Sequence, residues 1–321
     1  MPVILAYIFV VFIWATTPLA IHWSNSSLAF ATSVSLRMVL ALVLCSILMV
    51  IFRIPLVKHK RDWTVFLAGM VGLYPNMLLV YWSAQYISSG LMAVILGLYP
   101  FAVGLFSLLL LKENVFNLRR IVALLVAIAG LAVIHIEQIQ LSHSAFYGIV
   151  GMLGSAFLFA FSSVCVKALG GGMNPLRQTT GVLFLAVPAF AVTWFFVDGE
   201  IPAQIDSKSI IGVSYLSVAG TAVGYTLFFY VLRNCSMVSV SLIPLITPVL
   251  ALSIGYLFAN EAITLFTLVG SALVIVSLGI YQCSIVKLGG HGRKMLYAIL
   301  LRYKLQSRRE PIQSVSPCMD D

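Results

Sequence analysis

The sequence predicts an all-α membrane protein of ten transmembrane helices, arranged as two inverted five-helix repeats, and three observations carry that prediction. Of its 321 residues 61% are hydrophobic and only 9% charged, where soluble domains carry about 25% charged residues. Such a chain has too little polar surface to face water, so the bilayer is its solvent. Second, Asp, Glu, Lys and Arg are missing from 1–36, 63–111, 138–166, 178–197, 209–232, 234–260 and 262–286. Third, one phrase is written twice. "GLYPFAVGLFSLLLLKE" ends at Glu113 and "PLITPVLALSIGYLFANE" at Glu261, with Pro100 and Pro248 each thirteen residues before the glutamate and the copies 148 residues apart.

A spanning helix needs about 20 apolar residues. The 63–111 run holds two, divided near "SAQYISSG"; Arg37 interrupts a second span, and 119–136 supplies a short fifth. The expected helices are 3–21, 33–52, 65–84, 89–111, 119–136, 145–168, 177–197, 210–230, 237–258 and 263–282. The alternation of barrel strands is absent, so a helical bundle is how the backbone satisfies itself in lipid. The first span lacks the basic n-region and A-x-A-like site of a removable signal peptide. Five scattered cysteines without C-x-x-C spacing argue for neither metal nor a disulfide framework. Asn25-Ser26-Ser27 matches a glycosylation triplet, a short match that matters only in a eukaryotic secretory setting.

Basic residues set the orientation, because cytoplasmic loops collect Lys and Arg. With the amino terminus inside, 17 of the 19 basic residues fall on the inner side; Arg37 lies within a span and Lys208 lies outside. Both termini are then cytoplasmic. The +9 net charge traces one membrane face, which argues against nucleic acid as a partner. In the basic tail, 284–321, Leu296, Ile299, Leu300 and Tyr303 recur at helical spacing beside Arg293, Lys294, Arg302 and Lys304. That pattern fits either a helix lying on an anionic leaflet or a solvated basic tail, with 306–321 read as disordered.

Ten spans divide into a repeat over 3–136 and a repeat over 145–283. A shift of 145 sets Trp14 on Phe159, and a shift of 149 sets Gly130 on Gly279. An odd helix number per copy makes the second copy start from the opposite side, so the repeats are inverted. Inverted repeats are a recurring architecture of secondary transporters, with the substrate site near mid-membrane between the copies. The repeated block, the first-helix "WATT" and the Pro…Glu phrase resemble the EamA-domain branch of the drug/metabolite transporter superfamily over residues 3–283. That resemblance implies a ten-helix permease of the bacterial inner membrane moving small metabolites by alternating access. Amino acids or related compounds, and export, are the expectation on family grounds. A nucleotide-sugar, sugar-phosphate or drug (organic cation) carrier of the same superfamily is the alternative. An intramembrane enzyme or scaffold is the alternative from another class. It would need mid-depth acids, histidines or a nucleophile, and none stands out. No cofactor or metal is expected, no Walker loop is present, and monomer and homodimer are equally compatible with the pattern.

A central cavity should be lined by the few polar and aromatic groups inside spans: Trp14, Thr17, Asn76, Tyr81, Tyr99, Ser162, Tyr225 and Tyr230. Hydroxyls and an amide orient a polar solute while aromatic faces pack its apolar or cationic part. The same residue types also serve helix packing and interface anchoring. Arg37 is the one basic residue well inside a span. It either holds a substrate carboxylate or snorkels outward and bonds neighbouring carbonyls. Lys167, His22 and His135 read as interfacial. Glu113 and Glu261 fall at helix ends, where a carboxylate accepts from free N–H groups, and proton carriage is the other reading. Pro100 and Pro248 sit mid-span as kinks, either gating hinges or static bends.

Overall fold

The structure, a computed structural model, describes residues 2–112, 118–141, 144–170, 172–200, 202–241 and 264–288, with isolated positions between 243 and 257. Among the described residues every regular element is helical. Seven helices are long and apolar enough to cross a membrane: Val3–Ser24, Phe30–Ile51, Asp62–Ser83, Ser89–Leu111, Ala145–Leu169, Pro175–Val197 and Ser207–Asn234. Three expected spans are not among these seven: two fall on the helices Leu118–Leu141 and Leu265–Leu288, whose described apolar stretches are the shorter Ile121–Gly130 and Leu268–Ser277. The third, 237–258, is described only as the short helix Met237–Ser241 and scattered positions. Glu113, Pro248 and Glu261, and the tail from 289 on, lie outside the described residues.

We label the first two helices α1 (Val3–Ser24) and α2 (Phe30–Ile51). Three of the expected spans are broken into pieces. The third is α3 (Asp62–Val71) and α4 (Asn76–Ser83), interrupted where Pro75 cannot donate. The fourth is α5 (Ser89–Leu96) and α6 (Tyr99–Leu111). Its break falls at Gly97–Leu98, so Pro100 is the second residue of a new helix and not a mid-helix kink. In a first turn the missing N–H costs nothing. Next come α7 (Leu118–Leu141), α8 (Ala145–Leu169) and α9 (Pro175–Val197). The eighth span runs α10 (Ser207–Tyr215), a π-helical stretch Leu216–Val223 and α11 (Gly224–Asn234). Then α12 (Met237–Ser241) and α13 (Leu265–Leu288) follow.

Starts are written locally. Ser88 accepts from the Leu91 N–H, Asn174 from Arg177 (with Pro175 next), and Asp206 from Ser209 at 2.7 Å, each quenching an orphan donor of a first turn. Asp198 closes the start of α2 from a distance, its Oδ2 accepting the Thr32 N–H at 2.6 Å and the Thr32 hydroxyl at 2.8 Å. A carboxylate at a helix N-terminus also meets the positive end of the macrodipole.

Helix α1 packs on α10 and α11, while α8 packs on α3 and α4. The pairs α2–α9 and α7–α13 lie side by side, α7–α13 most extensively. Outward faces carry exposed apolar residues such as Ile4, Val50 and Phe196, as lipid-facing surfaces do. The interior collects the polar groups, Arg37, Asn76, Ser155, Thr179 and Thr221 among them, all nearly fully buried.

Candidate functional site

A central cavity of about 70 Å³ lies where α1, α2, α4, α5, α8 and the π stretch converge. At roughly 30 Å³ of liquid volume per water, it has room for about two waters.

Its aromatic floor is built on Trp14. That indole meets Phe159 edge-on with ring centroids 5.4 Å apart and Phe228 at 5.0 Å. Tyr99 packs on Phe159 at 5.3 Å. Pro18, inside α1, has no N–H for the Trp14 carbonyl. Thr17 beside it donates to the Ile13 carbonyl at 2.7 Å. The Tyr99 hydroxyl is buried without a well-formed hydrogen bond and faces the Ser163 hydroxyl.

The polar wall starts from the break between α3 and α4. Interrupting the helix frees the Gly72 carbonyl, which accepts from Asn76 Nδ2 at 2.9 Å and from the Tyr225 hydroxyl at 3.3 Å. Gly72 is required there by close approach, since a Cβ would stand 2.7 Å from Ser162 Oγ. Asn76 Oδ1 accepts from Ser155 at 2.6 Å. Both ends of the Asn76 amide are thus engaged within the protein.

Arg37 holds the opposite wall. It is 1% exposed. Its Nε donates to Thr221 Oγ1 at 2.7 Å and its Nη1 to the Tyr81 hydroxyl at 3.3 Å. The guanidinium carbon also lies 5.8 Å from the Tyr81 ring centre. Thr221 belongs to the π stretch, and π-helical turns recur at functional sites. Gly220 leaves space for the guanidinium, because a Cβ there would be 3.2 Å from Nη2. Among the described residues the one ion pair is Arg177–Asp62, so Arg37 is a buried cation with no carboxylate partner. Burying an unneutralised charge costs several kcal/mol. Arg37 therefore neither snorkels outward nor leans on neighbouring carbonyls; side-chain hydroxyls hold it.

Of the residues singled out in the sequence, Trp14, Thr17, Arg37, Asn76, Tyr99 and Tyr225 meet at this cavity. Tyr81 stands behind Arg37. Ser162 ties α8 to α3 by donating to the Ala68 carbonyl at 2.7 Å, and Tyr230 sits towards the end of α11, away from the lining. Lys167 caps α11, its Nζ donating to the carbonyls of Leu232 at 2.6 Å and Cys235 at 2.7 Å. His22 closes α1, and the His135 side chain lies outside the described residues. The lining residues Ser155, Gly220, Met92 and Met152 went unread. Serine beside Asn76 is legible only once α8 and α4 are known to touch.

Comparison with known proteins matches this architecture. A model of the EamA-like transporter family matches residues 1–136 and again 146–281. The chain is 27% identical over 270 residues to an uncharacterized transporter of Archaeoglobus fulgidus, covering 84% of this chain and 93% of that one. It is 24% identical over 278 residues to the uncharacterized transporter YvbV of Bacillus subtilis, covering 84% and 88%. Protein PecM of Dickeya dadantii is 26% identical over 221 residues, 67% of this chain and 73% of its own. A solved crystal structure superposes with a TM-score of 0.66 at 13% identity, covering 89% of this chain and 98% of the other, a likeness of fold. Two copies of one family domain across nearly all of the helical region settle the membership: the chain belongs to the EamA-like transporter family.

Proposed function

We propose that the protein is a ten-helix secondary transporter moving small carboxylate-bearing metabolites, amino acids first among them, through the central cavity by alternating access. The observation that carries this reading is the buried Arg37 guanidinium, which borders the cavity and has no carboxylate partner among the described residues. A substrate carboxylate would supply the missing charge through a forked, charge-assisted pair. The aromatic floor of Trp14, Tyr99 and Phe159 offers faces to an ammonium group. A cavity of about 70 Å³ fits a small solute better than a nucleotide sugar.

The packing supports two inverted halves. Exchanging α1 with α8, α2 with α9, α3–α4 with α10–α11 and α7 with α13 maps the main helix contacts onto one another. The pairs α2–α9 and α7–α13 map onto themselves, and Trp14 touches its repeat-mate Phe159 at 5.4 Å. A residue meeting its own counterpart is what a two-fold axis produces. Halves so related give inward-open and outward-open states of similar energy. The distribution of basic residues supports cytoplasmic termini, and the family resemblance supports a bacterial inner membrane and export.

Counterflow in proteoliposomes, screened across amino acids, organic cations and nucleotides, tests the proposal. Accumulation of a labelled small amino acid against its unlabelled form is the expected result. Movement of organic cations or nucleotides alone would transfer the reading to the alternative carriers, and movement of no solute would refute it.

A further inference from the structure

At the helix ends on the basic face lies a second cavity of about 490 Å³, bounded by the loop before α3, the end of α8, the start of α9 and the end of α11. Its charge is one-sided. Lys58, Arg61, Arg177 and Arg233 line it, with His59 beside them and Asp62 as the one acid. Asp62 is already engaged: its Oδ2 accepts the backbone N–H groups of Lys58 at 2.7 Å and His59 at 3.0 Å, and its Oδ1 accepts from Arg177 Nη2 at 3.2 Å. Arg177 is 7% exposed, and its Nε is buried with no hydrogen-bond partner. Arg233 spends Nη1 on the Met173 carbonyl at 3.4 Å. Four cations against one committed carboxylate leave the cavity with a net positive charge and unspent guanidinium donors. The orientation argument uses only the side of the membrane on which these cations lie, and nothing in the transport reading uses their convergence on one cavity.

We propose that this cavity is a binding site for a phosphate-type oxyanion, taken from an anionic phospholipid headgroup or as free phosphate. Arginine forks and lysine point charges converging on one space are the recurring recognition chemistry for phosphate. Basic pockets between helix ends at the membrane surface take lipid headgroups by the same means. Val65, Leu169 and Met173 supply an apolar wall next to the cations, the arrangement a headgroup with its glycerol attached would meet. The site is separate from the Arg37 cavity, and its occupancy does not depend on the substrate reading.

The test uses the full chain purified in a neutral detergent, with its thermal midpoint as readout. One arm titrates phosphatidylglycerol against phosphatidylcholine. A second titrates inorganic phosphate against chloride at matched ionic strength. A saturable rise of several degrees with phosphatidylglycerol alone identifies the lipid headgroup as the source, and a rise with phosphate in lipid-free detergent identifies the free anion. Arg61→Gln with Arg233→Gln, away from the Arg177–Asp62 pair, should remove most of the rise while leaving the midpoint without ligand near the parent value. Arg177→Gln should remove it as well, at the cost of some stability. No rise in either arm, or an equal rise in the Arg61→Gln/Arg233→Gln protein, overturns the proposal.

Discussion

Replacing Arg37 by glutamine separates binding from folding, and both effects can be sized. In the free protein the guanidinium is held by two hydrogen bonds to neutral hydroxyls and by the Tyr81 ring at 5.8 Å. A hydrogen bond from a charged group contributes about 1.5–3 kcal/mol and the ring contact about 0.5–2, whereas burying the charge costs several. Glutamine can keep one bond to Thr221 and carries no charge, so lost contacts and relieved burial nearly offset and the fold should stay within about 2 kcal/mol of the parent. A bound carboxylate loses its only cationic partner. Truncating one member of a buried charge pair costs about 2–5 kcal/mol, or about 30-fold to a few thousand-fold in affinity. Arg37→Lys should fall between, because an ammonium cannot offer the fork. Equilibrium binding of a small amino acid, the proposed substrate class, and of its decarboxylated amine, with thermal midpoints, reads all of this. The amine should bind parent and Arg37→Gln alike. If Arg37→Gln binds the carboxylate within about threefold of the parent, or if it fails to fold, the reasoning is wrong.

Other outcomes follow from the packing and the outer network. Gly181→Ala would bring a Cβ to 2.4 Å from the Phe66 ring, and overpacking of this kind should cost about 1–3 kcal/mol, read as a lowered thermal midpoint. Gly154→Ala meets only Leu79 Cδ1 at 3.6 Å, so the gain in helix propensity should stabilise by about 0.5–1 kcal/mol in the same assay. Gly220→Ala should move the Arg37 guanidinium by a few tenths of an ångström, from a 3.2 Å approach, and weaken carboxylate binding with little change in midpoint. Asp206, bonded by the Ser26 hydroxyl first and then by the Ser209 N–H, has its carboxyl lowered to about 2. Its folded pKa lies below the unfolded value near 3.9, so its contribution is complete above about pH 4 and lost as pH falls towards 2. The midpoint difference between parent and Asp206→Asn should therefore stay constant from about pH 5 to pH 8 and shrink only below about pH 4.

Charge-free runs announce α1, α8 and α9 because a bilayer admits little else. The breaks in the expected third, fourth and eighth spans were less legible. In helices apolar all round, hydropathy does not register where a backbone bond is exchanged for a side chain. Asn76 filling the gap opened by Pro75 is a contact, not a pattern. Arg37 stood out because a lone charge in a span demands a reason. Tyr81, Ser162 and Tyr230 were grouped with cavity residues on chemistry alone, since no polar face fixes the rotation of a lipid-embedded helix. Ser155 and Gly220 carry no signal until α8 meets α4 and the π stretch meets α2. The twin Pro…Glu phrase reports the repeat. The candidate chemistry lies instead where the copies differ, as Arg37 against the aliphatic Val182 under the 145-residue shift.

Counterflow with a matched pair of solutes tests the central claim most directly. Proteoliposomes holding the parent protein, preloaded with an unlabelled small amino acid, should accumulate its labelled form but not the labelled decarboxylated amine, and Arg37→Gln should abolish that accumulation. Equal accumulation of acid and amine, or undiminished transport by Arg37→Gln, would contradict the account.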